Sequence, residues 1–556
     1  MVFQFLLPMP LDQIVNNNND NDDNNSLILF GRSEFTDNLL KTYENIFNDL
    51  LQIHSNDWDI NNLYDKIAEV VPLGCSQIPP PNVVILEPGE NPNCDENVHK
   101  ACEMYDGDVG VISNSNYLDI ACDEAIFRRL ISYHEKKNSA RLFLGQWHTS
   151  KDMCSVLITI FSGYGIFNLA ANLGVRYLDK LEKVVDYQAT CRVLELIWIA
   201  VGIAICKYLN SKNKTMDDIE NENNDVLKVW YYYFCWAGYW FGHKQGIRRG
   251  NYNMQFKNLL AFSPLFPVAG KSNYARSVTH FLSYINDDLN LQKLLQYVCS
   301  VNLTQPGHYL GFDEALERFG VLFVKQNIGG NCMDSENLKK QISSIQSERD
   351  RLSMLLSEYV GDTVLTKEER TVKSRKEALW NLASELELAF NLPNPLTHKL
   401  FKNTKEMNQE GFQRLFSCYE HGINRLNSIL QQDVLKTEVR NIRGRRARNI
   451  ISYKSQNLIE KKKGKAKVVV EDDNNDNNDN NDDNNDNDNN KSIKRSHRRT
   501  SETEKEILKP LILFKEFPAN DIDLLNQISQ SLGPNWDLVR IKRYWSNNNL
   551  FRFNKK

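Results

Sequence analysis

Carboxylates set just beyond short apolar runs are the residues of this chain whose types and spacing could do chemistry. Glu87 directly follows the run Asn82 to Leu86 (NVVIL), Asp95 and Glu96 lie in the next stretch, and Asp106, Asp108, Asp119, Asp123 and Glu124 precede a second run, Ala140 to Leu144 (ARLFL). Two or three carboxylates at strand ends can hold a pair of Mg²⁺ ions that stabilise the attacking and leaving oxygens of a phosphoryl transfer. The second run ends in Gly145-Gln-Trp-His148, which puts an imidazole at a strand's carboxyl end as a ligand or base. Glu87, Asp106, Asp108 and His148 are the candidate catalytic set. Each also has a plainer role: a solvated loop or helix cap for a carboxylate, a hydrogen-bonded core position for a histidine beside Trp147. No phosphate-cradling glycine loop, Cys/His zinc spacing, serine elbow or HExxH helix occurs, so the reading leans away from an enzyme. The metal ligands stay unknown, and no cofactor is expected except Mg²⁺ if such a core is active.

Elements must position these groups. Both apolar runs are β-rich and are followed by Pro88-Gly89 and Gly145, which predicts buried strands. Between them Asp123 to Ser132 has helical period and an acidic start; longer aromatic-rich helices are expected over Lys151–Leu173, Tyr187–Leu209 and Val226–Trp240. Leu196 to Cys206 is apolar throughout but is bounded by Glu195 and Lys207, well short of the ~20 residues of a membrane span. It reads as a helix buried on all sides, and no membrane is expected. Strand, helix, strand, then many helices predicts a mixed α/β layer with a large helical extension.

Beyond that unit, Leu338, Ile342, Ile345, Leu352 and Leu356 alternate at spacings of four and three, with Arg349 in the missing position. The stripe fits either a packed antiparallel bundle or a short coiled coil, so a homo-oligomer through 338–356 is a possible partner arrangement. The Asn/Asp tracts at 16–25 and 471–490 offer no apolar surface to offset chain entropy and are expected to be disordered. The organisation is therefore α+β and multidomain: a disordered segment (1–25), a mixed α/β domain (26–331), a helical bundle or coiled coil (334–438), a basic and Asn/Asp-rich linker (439–497) and a C-terminal helical module (498–556). The 556 residues carry a net charge of −4 that hides this segregation of acids from bases. Eleven cysteines without a Cys-x-x-Cys pair fit a reducing compartment. The N-terminal MVFQFLLPMP lacks a basic flank and is broken by prolines, a poor signal peptide.

In the last module, Ser501 to Glu504 is a capping-box pattern opening a helix through Ile507, Leu508, Leu511 and Phe514, bent by Pro510. Asn520 is read as the cap of a second helix with Ile522, Leu525, Ile528 and Leu532 on its apolar face, ended by Gly533-Pro534. A third helix would place Trp536, Val539, Ile541, Tyr544 and Trp545 in the core and Arg540, Lys542, Arg543 and Asn547 outward. Arg and Asn make bidentate bonds to guanine and adenine edges, and neighbouring cations neutralise phosphates. Basic runs at 443–448, 461–467 and 494–499 suit nuclear import or phosphate contact. DNA is the expected partner and the nucleus the expected location.

The spacing Ile541-x-x-Tyr544-Trp545-x-Asn547 resembles that of a homeodomain, with a Myb-like module as the alternative. The resemblance implies that Asn547 reads adenine, that Arg543, Ser546 and Leu550 are its base-facing neighbours, and that the arm holding Arg498 and Arg499 enters the minor groove. A second resemblance rests on motif order from Val83 to Asn331: the strand end at His148, an Asn-Tyr segment, a Tyr-Ala-Arg segment, then Val301-Asn-Leu-Thr-x-x-Pro-Gly-His308 and an acidic helix. That order is similar to an uncharacterised domain of fungal mobile-element proteins, itself like a degenerate RNase H-fold transposase. It implies a transposable-element-derived, inactive core tethered to DNA. The alternatives are a DNA-binding regulator whose large domain is a protein-interaction scaffold, and an active Mg²⁺-dependent transposase or nuclease.

Overall fold

The structure is a computed structural model and describes residues 2–5, 28–74, 78–79, 81–84, 92, 94–109, 117–137, 140–302, 309–317, 369–437, 502–511, 514, 517–518, 521–532, 541–542 and 544–545. Helix dominates, with little strand. The chain divides into a large unit, 1–468, and a small one, 469–556.

The large unit is built around α8 (Tyr187–Ser211), whose Asp186 cap accepts from the Ala189 amide. Leu194 and Ile197 to Ile205 are all buried, which accounts for a stretch apolar on every side. The helix is long and apolar enough to cross a membrane, but 83% of its apolar window is covered by the rest of the protein. Against it lie α1 (Glu34–His54), opened by a Ser33–Thr36 capping box, and α9 (Asp225–Arg248), capped by Asn224. The three meet through aromatics: Trp198 stacks on Phe234 and Phe241 at centroid distances of 5.5 and 4.6 Å, and Phe47 approaches it edge-on at 5.5 Å. A Cβ at Gly202 would lie 2.9 Å from the Phe47 ring, so a glycine is what lets α1 and α8 close. The helix expected over Lys151–Leu173 is two: α5 (Gln146–Phe161) and α6 (Ile166–Asn172), turned by 97° at Gly165, whose φ of +105° no side-chain-bearing residue adopts cheaply.

Residues 369–437 do not form a separate bundle, contrary to the expected division at 331–334. The helix α15 (Glu369–Asn391) packs on α8, and α16 (Gln409–Ile429) packs on the short α11 (Leu265–Val268). Leu379, Leu382, Leu386, Leu415 and Leu426 belong to the same core as Trp198. Side chains stitch the pieces: Tyr164 Oη donates to the Gly411 carbonyl at 2.6 Å and Asn224 Nδ2 to that of Phe390 at 3.0 Å. The apolar period of 369–391 is the same for a bundle and for a helix laid on a larger core; the buried face of α8 decides it. The heptad stripe at 338–356 and the tracts at 16–25 and 471–490 lie outside the described residues.

Three strand pairs are present among the described residues, each separate. The expected layer joining Asn82–Leu86 to Ala140–Leu144 is not formed: β2 (Asn82–Val84) pairs antiparallel with β1 (Val2–Gln4). The partner of β4 (Ala140–Leu144) is β3 (Leu118–Cys122), parallel, with α4 (Glu124–His134) as the crossover. No strand is expected over Leu118–Cys122 from the sequence, where Asp119 is read only as one of the carboxylates before the second run. In the structure Asp119 sits opposite Arg141 on the neighbouring strand and binds its guanidinium at 2.7 and 2.8 Å. The third pair, β5 (Val301–Asn302) and β6 (Tyr309–Leu310), leads into α14 (Phe312–Leu316).

In the small unit, α17 (Glu502–Leu508) and α18 (Ile522–Leu532) share a core of Leu508, Leu511, Leu525, Ile528 and Ile541, flanked by Phe517, Tyr544 and Trp545. The first helix stops at Leu508 rather than running to Phe514, since Pro510 has no amide to continue it. Asp521 accepts from the Leu524 amide at 3.2 Å; Asn520, the expected cap, lies outside the described residues.

Candidate functional site

The carboxyl ends of β3 and β4 are where an α/β layer opens to ligands. After β3, Asp123 caps α4 by accepting from the Ile126 amide at 2.9 Å. After β4, Gly145 donates to the Cys122 carbonyl at 2.6 Å and begins α5 with no side chain to cap it. The cap comes from elsewhere: Asp313, on α14, accepts from the amides of Trp147 and His148 at 3.0 and 2.9 Å. A Cβ at Gly145 would fall 2.6 Å from Asp313 Oδ2 and 2.8 Å from the Cys122 carbonyl, so the glycine makes room for a carboxylate brought in from 168 positions on (313 − 145). Its negative charge also suits the positive end of α5.

The same carboxylate holds His148, whose Nδ1 lies 3.0 Å from Oδ2. Because a carboxylate only accepts, Nδ1 carries the proton and Nε2 faces away from the pair. Burial disfavours the imidazolium, but the Asp313 hydrogen bond and charge, with Asp123 and Glu317 farther off, outweigh it and raise the His148 pKa above the usual value. The imidazole is 28% exposed and the carboxylate 5%. The arrangement can accept and return a proton at Nε2, and it fixes the start of α5.

Amides and ion pairs brace this corner. Gln146 Nε2 donates to Gln255 Oε1 and to the Cys299 carbonyl, both at 2.7 Å, and its Oε1 accepts from the Phe312 amide at 3.0 Å. Arg248 donates to Glu314 at 2.7 Å and to the Tyr309 carbonyl at 3.1 Å. Glu124 is buried, accepts from Ser277 at 3.0 Å and is pushed above the usual carboxylate range by that burial. Asp152 pairs with Lys271 at 2.6 Å. An acidic arc therefore does gather beyond Cys122 and Leu144, and each of its carboxylates has at least one oxygen engaged.

That engagement bears on whether Mg²⁺ could sit among these described carboxylates. Both oxygens of Asp313 accept amide protons, Asp123 is a helix cap, and Asp152 is neutralised by Lys271. A two-ion site needs free carboxylate oxygens facing one point; among the described residues no group of three His, Cys, Asp or Glu side chains is placed to hold a metal.

Of the candidate catalytic set, only His148 lies at this corner among the described residues. Asp106 is on α3 (Asp95–Val109), 4.0 Å from Lys137; Asp108 ends the same helix and its side chain lies outside the described residues, as does Glu87. Asp313 was missed, although its signal was legible as an acidic pair after Gly311 at a helix start. The stretches 239–255 and 271–285 interleave basic, amide and aromatic residues as a nucleic-acid groove would need, but they do not form an open groove. Tyr239, Trp240, Phe241, Tyr252 and Tyr274 are buried, Lys244 binds the buried Glu195, and Arg248 is taken by Glu314. In the small unit Lys542 is exposed and lies over the Phe517 ring at 5.7 Å. Arg498, Arg499, Arg540, Arg543, Ser546, Asn547 and Leu550 lie outside the described residues.

No protein-family model, curated protein or solved structure matches this chain.

Proposed function

We propose that this chain is a nuclear DNA-binding protein of transposable-element ancestry, which contacts duplex DNA through a three-helix, homeodomain-like C-terminal module and uses its large unit as a scaffold without catalysis. One observation carries the DNA-binding half: the burial phase at the end of the small unit. Ile541 is fully buried, Tyr544 and Trp545 pack half-buried on the same core, and Lys542 is exposed. By sequence period alone, at about 100° per residue, Arg543, Ser546, Asn547 and Leu550 share a helical face that leaves out Ile541, Tyr544 and Trp545. Those are the positions a homeodomain-like helix uses in the major groove, with Arg498 and Arg499 as the minor-groove arm and Arg540 and Lys542 beside the phosphates.

The scaffold half rests on the engaged carboxylates around Asp313, which argue against an active RNase H-type nuclease. The ancestry rests on the motif order between Val83 and Asn331. A regulator with an interaction scaffold is the second reading, favoured by the same engagement and without need of that ancestry.

The test is binding of the full chain to duplex DNA by fluorescence anisotropy across a salt series. Asn547→Ala is expected to weaken binding to a preferred site by about 1–3 kcal/mol while sparing non-specific binding. Lys542→Ala is expected to weaken binding to all sequences alike and to lower the salt slope by about one. Absence of binding at low salt, or an Asn547→Ala variant equal to the parent, would overturn the reading.

A further inference from the structure

Two free thiols face each other in the core of the large unit. Cys154 of α5 and Cys191 of α8 bring their Sγ atoms to 3.9 Å, across 37 positions of sequence. A disulfide sets its sulfurs about 2.0 Å apart, so travel of roughly 1 Å by each sulfur separates this pair from a bond. Both belong to the same hydrophobic cluster, Cys154 fully buried and Cys191 4% exposed.

The two are not equally protected. Cys191 lies one turn inside the start of α8, where Asp186, Gln188 and Ala189 are exposed and Tyr187 is half-buried. Helix ends open at far lower cost than helix centres. The approach to this end is also strained: Val184, β-branched and buried, holds a φ of +49°, a left-handed conformation such a side chain adopts only under constraint. Opening of the first turn relieves that strain and uncovers Cys191. Cys154, midway along α5, stays covered. Burial also holds its thiol well above the usual range, with the Cys191 contact adding to the rise, so Cys154 is the later of the two to react.

We propose that Cys154 and Cys191 form a redox switch, in which a hydroperoxide oxidises Cys191 and Cys154 resolves the product into a disulfide that staples α5 to α8. In the first step the Cys191 sulfur takes a hydroxyl from hydrogen peroxide, and its thiol proton leaves with the other oxygen as water, giving a sulfenic acid. In the second the Cys154 sulfur displaces that hydroxyl, which takes the Cys154 proton and departs as a second water. A dithiol reverses the bond by exchange. In a reducing compartment the resting state is the thiol pair, so the staple forms when peroxide rises. It closes a loop of 37 positions and so constrains the unfolded chain. The switch is independent of the DNA-binding reading.

The experiment treats the reduced full chain with hydrogen peroxide, blocks the remaining thiols with iodoacetamide in denaturant, and maps the peptides by mass spectrometry without reductant. A peptide linked through Cys154 and Cys191, abolished by dithiothreitol, is the expected product, and the oxidised chain should melt at a higher Tm than the reduced one. In Cys154→Ser the resolving sulfur is gone, and dimedone should trap the sulfenic acid on Cys191. Recovery of both cysteines as free thiols once the exposed Cys94 is oxidised, a link formed only when peroxide is added in urea, or dimedone on Cys154 in Cys191→Ser would overturn the proposal. The peptide map of the parent chain needs no variant and decides even if either substitution unfolds the protein.

Discussion

Asp313 does three jobs with two oxygens: it caps α5, fixes the tautomer of His148 and faces the positive end of a helix. Asp313→Asn replaces one of those acceptors by a donor aimed at amide protons, and is expected to cost about 3 kcal/mol in urea unfolding. In the same variant the His148 pKa should fall below its raised value, read from the imidazole proton shifts. The sign of its linkage follows: a pKa raised by folding gives stability that is complete below the ordinary value and is lost as pH rises through the folded one. The buried histidines act oppositely. Burial depresses His243 and His280 from 6.5 to about 4, the latter helped by Arg276. Between those values the unfolded chain holds protons that the folded chain does not, so stability is present above 6.5 and drains away as pH falls toward 4. Each contributes roughly 3 kcal/mol at most. Denaturant unfolding at pH 7 and at pH 4.5 should show the drop, and His280→Gln should make it shallower; a flat profile would contradict these assignments.

At the scale of elements, glycines mark where helices approach too closely for side chains. Gly202→Val places methyl groups into Phe47 and Phe234, and overpacking there is expected to cost about 1–3 kcal/mol, read as a lower Tm. The α8 helix itself was legible from its apolar run, as were the Asp123 cap and the strand ending at Leu144. The strand Leu118–Cys122 was not, because Asp119, its second residue, is satisfied by Arg141, a partner that only pairing reveals. The same limit hid Asp313. A cap delivered across 168 positions (313 − 145) leaves at α5 only a glycine where a serine or aspartate would normally stand, and the acidic pair after Gly311 does not say which helix it serves.

At the scale of the whole molecule, boundaries read from composition held less well than elements read from period. Residues 369–437 look like an independent bundle in sequence because an amphipathic helix shows which face it buries, never against what. In the structure that face completes the core around Trp198. In the small unit Leu525, Ile528, Ile541, Tyr544 and Trp545 take the core positions their period implies. The account's central claim is that this unit reads DNA sequence through Asn547. Selection of bound duplexes from a random pool by the full chain, run in parallel with Asn547→Ala, tests it most directly. An enriched motif that the variant loses is the predicted result; enrichment unchanged in the variant, or no enrichment by either, would contradict it.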